Sequence, residues 1–130
     1  MNFLQPPGWL APKGYSNGVS ARGRLLFVGG QIGWTREQRF ESDDFVAQAR
    51  QALANVIEVL AAGGARPEHV VRLTWYVCDR EQYLASQAAL GAVYRELMGR
   101  HFPAMTAVEV SALIESRARV EIEATAVVPD

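Results

Sequence analysis

The 130-residue chain has one cysteine, Cys78, and two histidines, His69 and His101. One thiol excludes an intrachain disulfide and leaves no C-x-x-C pair, which fits a reducing compartment. The histidines lack the i, i+4 partner that a zinc-binding helix needs. No apolar run approaches the roughly 20 residues of a membrane span. The opening MNFLQPPGW has neither the basic flank nor the apolar stretch of a signal peptide. An excess of one charge is missing too. Thirteen Lys and Arg stand against 14 Asp and Glu, giving −1 with both signs interspersed. A nucleic-acid partner calls for a basic stripe, and none is present. There is no G-x-S-x-G elbow, no G-x-x-x-x-G-K-[ST] loop and no dinucleotide fingerprint. The expectation is one cytoplasmic domain over residues 1–130, with no membrane and no nucleic acid among its partners.

About half the chain is apolar (49%), enough for a core. Pro6 to Gly14 is too rich in Pro and Gly for a helix. Tyr15 to Val19 reads as a short extended segment, and Leu25 to Gln31 as a strand. Gly29 and Gly30 within it suggest a bulge or a close approach. From Phe45 the period changes: Phe45, Ala49, Ala52, Leu53, Val56 and Leu60 recur at helical spacing. Ser42 or Asp43 is the expected cap, with acids in the first turn and Gly63-Gly64 as the stop. Gln48, Arg50 and Glu58 are assigned to the helix's polar face. Val70 to Cys78 is the strongest strand. A second helix is expected from Asp79, with Gln82 placed for a capping box, to Gly99. Strands at Ala104–Ser111 and Arg119–Val128 follow. The latter alternates Val120, Ile122, Ala124, Ala126 against Glu121, Glu123, Thr125. The order β-β-α-β-α-β-β predicts an α+β two-layer sandwich, a mixed sheet with two helices on one face. The other face then needs a partner, and self-association is the simplest one.

Few residues stand out as chemistry. Glu121 and Glu123, two apart on a strand, point to one side. They are either an exposed face or a carboxylate pair able to exchange protons if buried between subunits. Glu109 is a third carboxylate that could join them. Cys78, at the end of an apolar strand, reads as a buried, inert thiol. Trp75 and Tyr76 must point to opposite faces. His69 reads as a turn residue and His101 as structural or exposed. Trp34, in a polar loop, either covers a pocket or packs at an interface.

Five segments resemble the RidA/YjgF family of reactive imine/enamine deaminases, in order and over nearly the whole chain. They are GYSNGV (Gly14–Val19), LLFVGGQIG (Leu25–Gly33), QARQALANVIEVLAAGG (Gln48–Gly64), FPAMTAVEV (Phe102–Val110) and VEIEATAV (Val120–Val127). The resemblance implies a trimer like that of a small chorismate mutase, with sheets facing inward and clefts between subunits. It implies hydrolysis of imines, in equilibrium with enamines, to a carbonyl compound and ammonia, without metal or organic cofactor. By this resemblance Tyr15 lines the pocket, the Ala107 carbonyl orients water and Glu121 is the water-directing carboxylate. Gly29 takes the place of a serine in F-V-S-G-Q, and Gly91 that of an asparagine in the second helix.

Met105 stands where the family motif F-P-A-R-S has an arginine that grips the substrate carboxylate. A thioether has no charge and no donor to replace it. Truncating one partner of a buried charge pair costs roughly 2–5 kcal/mol. The implied activity is therefore hydrolysis of an imine other than the usual 2-imino acid. Its pocket is apolar, walled by Met105, Trp34 and Trp75 and made roomier by Gly29 and Gly91. Arg36, Arg72, Arg117 and Arg119 are candidates for a substitute cation. The alternative is a non-catalytic trimer that binds a small molecule or a protein. Ribonuclease activity, ascribed to some family members, is disfavoured by the charge balance.

Overall fold

A computed structural model describes residues 1–130. A four-stranded sheet forms the frame: β3 (Arg24–Ile32), β4 (Val70–Val77), β5 (Ala104–Glu109) and β6 (Val120–Val128). Their spatial order is β3-β6-β4-β5. β6 runs antiparallel to both neighbours, and β4 pairs with β5 in parallel, so the sheet is mixed. The parallel pair requires a crossover. Two helices supply it, α2 (Arg80–Ala85) and α3 (Gln87–Met98). The long α1 (Phe45–Ala62) connects β3 to β4. The expected α+β two-layer sandwich is the observed fold.

Alternation on β6 decides which face is covered. Val120, Ile122, Ala124 and Ala126 are buried against the helices, with Leu73, Trp75 and Val77 beside them on β4. All six apolar positions read from the α1 periodicity are buried. The opposite face carries Glu121, Glu123, Thr125 and Tyr76, and no helix lies over it. Leu25 and Phe27 stand on it largely exposed, at 60% and 71%. No helix is long and apolar enough to cross a membrane.

Several local expectations need correction. The α1 cap is Asp44, whose side chain accepts from Ala47 N at 2.9 Å, while Ser42 Oγ accepts from Asp44 N. Both aspartates therefore precede the helix, and its first turn holds no acid. The glycine stop stands, with Gly64 at φ 77°. The single second helix is two, because the chain turns at Ser86, which ends α2 and precedes α3. Asp79 does cap α2, accepting from Gln82 N. An unforeseen strand, β1 (Asn2–Leu4), pairs with β2 (Gly18–Ser20) in a separate two-stranded sheet. The extended segment read at Tyr15–Val19 is thus shifted. Its Ser16 is bridged to Ala104 at the start of β5.

Gln48 is the largest departure from the helical wheel. It lies on the inner side of α1, 1% exposed. Its Nε2 donates to the carbonyls of Ser42 and Arg117, each at 3.0 Å, and its Oε1 accepts from Arg119 N at 2.8 Å. One buried amide so fixes the entry to α1 and the entry to β6. Gln48→Leu should leave three backbone groups without partners, at about 1–3 kcal/mol for an unsatisfied buried group. A thermal unfolding midpoint lowered by several degrees is the expected result.

Candidate functional site

Side chains at paired positions of neighbouring strands point to the same face, so the sheet register sorts the candidate residues. Met105 pairs with Leu73 and Ala107 with Trp75, which puts both on the helix side. Glu121 pairs with Tyr76 and lies on the open face. Strand β4 stands between β5 and β6, a lateral separation of about 10 Å. Within one chain, Met105 and Glu121 do not meet.

On the helix side Met105 enters a cavity of about 300 Å³. Its apolar wall is Trp75, Tyr83, Leu90, Tyr94, Phe102 and Met105. Tyr94 stacks on Phe102, ring centroids 5.7 Å apart, and its hydroxyl donates to the His101 carbonyl. Burial holds the Tyr94 phenol protonated well above its ordinary range. Gly91 also lines the cavity, as do the exposed Lys13 and Arg95. None of the four arginines proposed from sequence borders it. Arg36 pairs with Glu58 and Arg117 with Asp43. Arg72 lies beside Gly29 on the open face, and Arg119 lines a separate groove at the 111–119 loop. Arg95 was the residue missed. Its signal was positional: it follows Gly91 by one helical turn.

On the open face the bulge suspected at Gly29-Gly30 is real, since the β3–β6 register shifts between Val28 and Gln31. Its purpose is visible at Gly30. A Cβ there would stand 1.9 Å from Glu121 Oε2, so only glycine leaves room for this carboxylate as placed. Glu121 makes no hydrogen bond or ion pair within the chain, whereas Glu123 accepts from the Tyr76 hydroxyl at 2.6 Å. That bond raises the Tyr76 pKa, helped by desolvation and by the charges of Glu123 and Glu121. Glu109 does not join them. It faces the helix side and accepts from Arg80 N at 2.8 Å.

The remaining candidates are dispersed. Tyr15 is exposed beside the start of β5 and its ring does not line the cavity, although Lys13 and Gly14 do. Trp34 packs on Phe40, centroids 5.9 Å apart, away from Met105. Cys78 is half-buried rather than buried, its thiol 3.7 Å from the Ala118 carbonyl. His101 is structural, with Nε2 2.6 Å from the Val70 carbonyl. His69 accepts from Arg66 N and closes its own turn. No group of three or more His, Cys, Asp or Glu is placed to hold a metal ion.

The five motifs, the mixed sheet and the carboxylate above a glycine bulge define a class. The chain belongs to the RidA/YjgF family, whose sequence model, described as endoribonuclease L-PSP, matches residues 9–128. Human 2-iminobutanoate/2-iminopropanoate deaminase is 32% identical over 128 residues, 98% of this chain and 88% of its own. The Salmonella typhimurium protein of the same name is 34% identical over 116 residues, 87% of this chain and 86% of its own. A Yersinia pestis protein of unknown function from the conserved Rid family superposes with a TM-score of 0.87. It is 33% identical, over 98% of both chains.

The two bulge glycines should respond differently to the same change. Gly30→Ala should push the Glu121 carboxylate aside, while Gly29→Ala, which meets nothing within 4 Å, should leave it in place. Crystal structures of the two variants would check this. An unmoved Glu121 in Gly30→Ala would contradict the assigned role of the glycine.

Proposed function

We propose that the chain hydrolyses a reactive imine, in equilibrium with its enamine, to a carbonyl compound and ammonia, in clefts between copies of itself. The observation that carries this reading is Glu121. A half-buried carboxylate without a partner, admitted by a glycine bulge, is available to handle protons. The names of its curated relatives give the reaction class.

Self-association resolves the separation of the candidate residues. Three copies packed through their open faces would cover Leu25 and Phe27. They would also bring Glu121 of one copy toward the exposed β5 edge of the next, where Ala107 lies. In that cleft water adds to the imine carbon while Glu121 takes one of its protons. The C=N electron pair moves to nitrogen, which receives that proton and gives a carbinolamine. Glu121 then takes the hydroxyl proton and passes it to nitrogen. The C–N bond breaks with its electrons on nitrogen, and ammonia leaves a C=O group behind. The Ala107 carbonyl orients the water, and Tyr15 and Gly29 border the substrate. No step calls for a metal or an organic cofactor.

Met105 directs the substrate away from the small 2-imino acids of the relatives, because it cannot grip a carboxylate at that place. RNA is a poor alternative substrate: the net charge is −1 and both signs are interspersed, with no basic stripe.

Ammonia release from a panel of imines should fall by about 10²–10⁴ in Glu121→Ala, the usual contribution of a positioned acid–base group. Met105→Arg should gain hydrolysis of 2-iminobutanoate. Equal rates for wild type and Glu121→Ala would remove Glu121 from the reaction. No turnover of any imine by wild type would favour the binding-only reading, and a monomer in sedimentation velocity would rule out the shared clefts.

A further inference from the structure

We propose that the cavity behind Met105 is a binding site for an aromatic organic acid, with its carboxylate on Arg95 and Lys13 and its ring among Trp75, Tyr83, Leu90 and Met105. The inference deepens the function proposed above by naming a substrate class, but the binding itself does not depend on catalysis.

Three observations converge on this cavity. The first is its wall, which is aromatic and aliphatic and large enough, at about 300 Å³, for a benzyl-sized group. The second is an orphaned donor. Trp75 lines the cavity and is 5% exposed, and its Nε1–H is the one buried side-chain polar atom of the chain without a hydrogen-bond partner. A buried donor left unpaired costs about 1–3 kcal/mol. That atom has almost no exposed surface, so a ligand acceptor would meet it only once the indole turns toward the cavity on binding. The third is charge. Lys13 and Arg95 border the cavity, and neither is engaged by any carboxylate of the chain.

The placement of Arg95 follows from Gly91. A helical side chain leans toward the N-terminus, over the residue four positions earlier. A Cβ at Gly91 would be 3.5 Å from Arg95 Nη1, so the guanidinium lies over the surface that the glycine leaves bare. A cation in the last turn of α3 also suits the helix dipole. That role is purely structural and does not require a cavity beside the guanidinium. A guanidinium grips a carboxylate through two parallel N–H donors, and Lys13 adds a point charge.

Phenylpyruvate and 4-hydroxyphenylpyruvate are stable probes, being the carbonyl products of the corresponding imino acids. Calorimetric titration of the wild-type protein should give saturable binding of both, tighter than that of 2-oxobutanoate. Arg95→Met should weaken both by about tenfold, the size of one charge-assisted hydrogen bond. The ring hydroxyl tests the donor. 4-Hydroxyphenylpyruvate should shift the Trp75 indole N–H resonance downfield, read in a Trp9→Phe/Trp34→Phe background that leaves one indole and keeps Trp75 intact. 4-Hydroxyphenylpyruvate should bind more tightly than phenylpyruvate, and Trp75→Phe should abolish that preference. No binding of either aromatic acid, or equal affinities in wild type and Arg95→Met, would overturn the assignment. Binding as expected without imine turnover would leave this site standing and refute the hydrolase reading. Turnover that depends on Glu121, without aromatic acid binding, would do the reverse.

Discussion

The constraint on which the rest depends is a four-stranded sheet with helices on one face only. β6 is central to it. Its small and branched residues, Val120 to Ala126 at every second position, leave no gap beneath α1. The same alternation forces Glu121, Glu123 and Thr125 onto the face without helices. A one-residue slip of β6 would exchange the two sets, placing carboxylates in the core. The register that makes the core is therefore also the register that presents the carboxylates.

That constraint also separates Met105 from Glu121 within one chain. Met105 and its cavity belong to the covered face and Glu121 to the open one, with β4 between them. No rotation of a side chain brings them together. In the proposed function a second copy, with its open face against the first, would join the acid to the pocket. The bulge at Gly29-Gly30 serves the open side. It interrupts β3 opposite Glu121 and removes the Cβ that would collide with its carboxylate.

Much of this was legible in the sequence because it rests on periodicity. The α1 stripe and the β6 alternation show which residues are inside, and Gly29-Gly30 announced the bulge. What escaped has no periodic signal. The turn at Ser86 leaves Tyr83, Leu90 and Tyr94 at spacings that a straight helix would also satisfy. Gln48 looks polar on a helical wheel, yet it is buried because three backbone groups from distant segments converge on it. β1 is three residues long, too short for any period. Site residues fared unevenly for the same reason. Strand alternation put Glu121 and Glu123 on one side, but no motif showed that Glu121 faces the glycine bulge. Nor could motif position show that Trp34 packs on Phe40, or that Arg95 rather than Arg36, Arg72, Arg117 or Arg119 borders the Met105 cavity.

Met105 changes meaning when the cavity is considered as a whole. An arginine at this position would bring a buried charge into an apolar wall, tolerable only with a carboxylate beside it. With methionine the wall stays neutral and adaptable, since a thioether fits against aromatic rings in many rotamers. The positive charge then stands at the solvent edge, on Arg95 and Lys13, where desolvation costs little. Shifting the anion site outward by the length of a side chain lengthens the space between charge and wall. A small imino acid held at that edge would leave the aromatic interior unfilled, whereas one with a ring spans both. On the proposed reading, a methionine at position 105 and the apolar cavity behind it act together to favour a larger substrate.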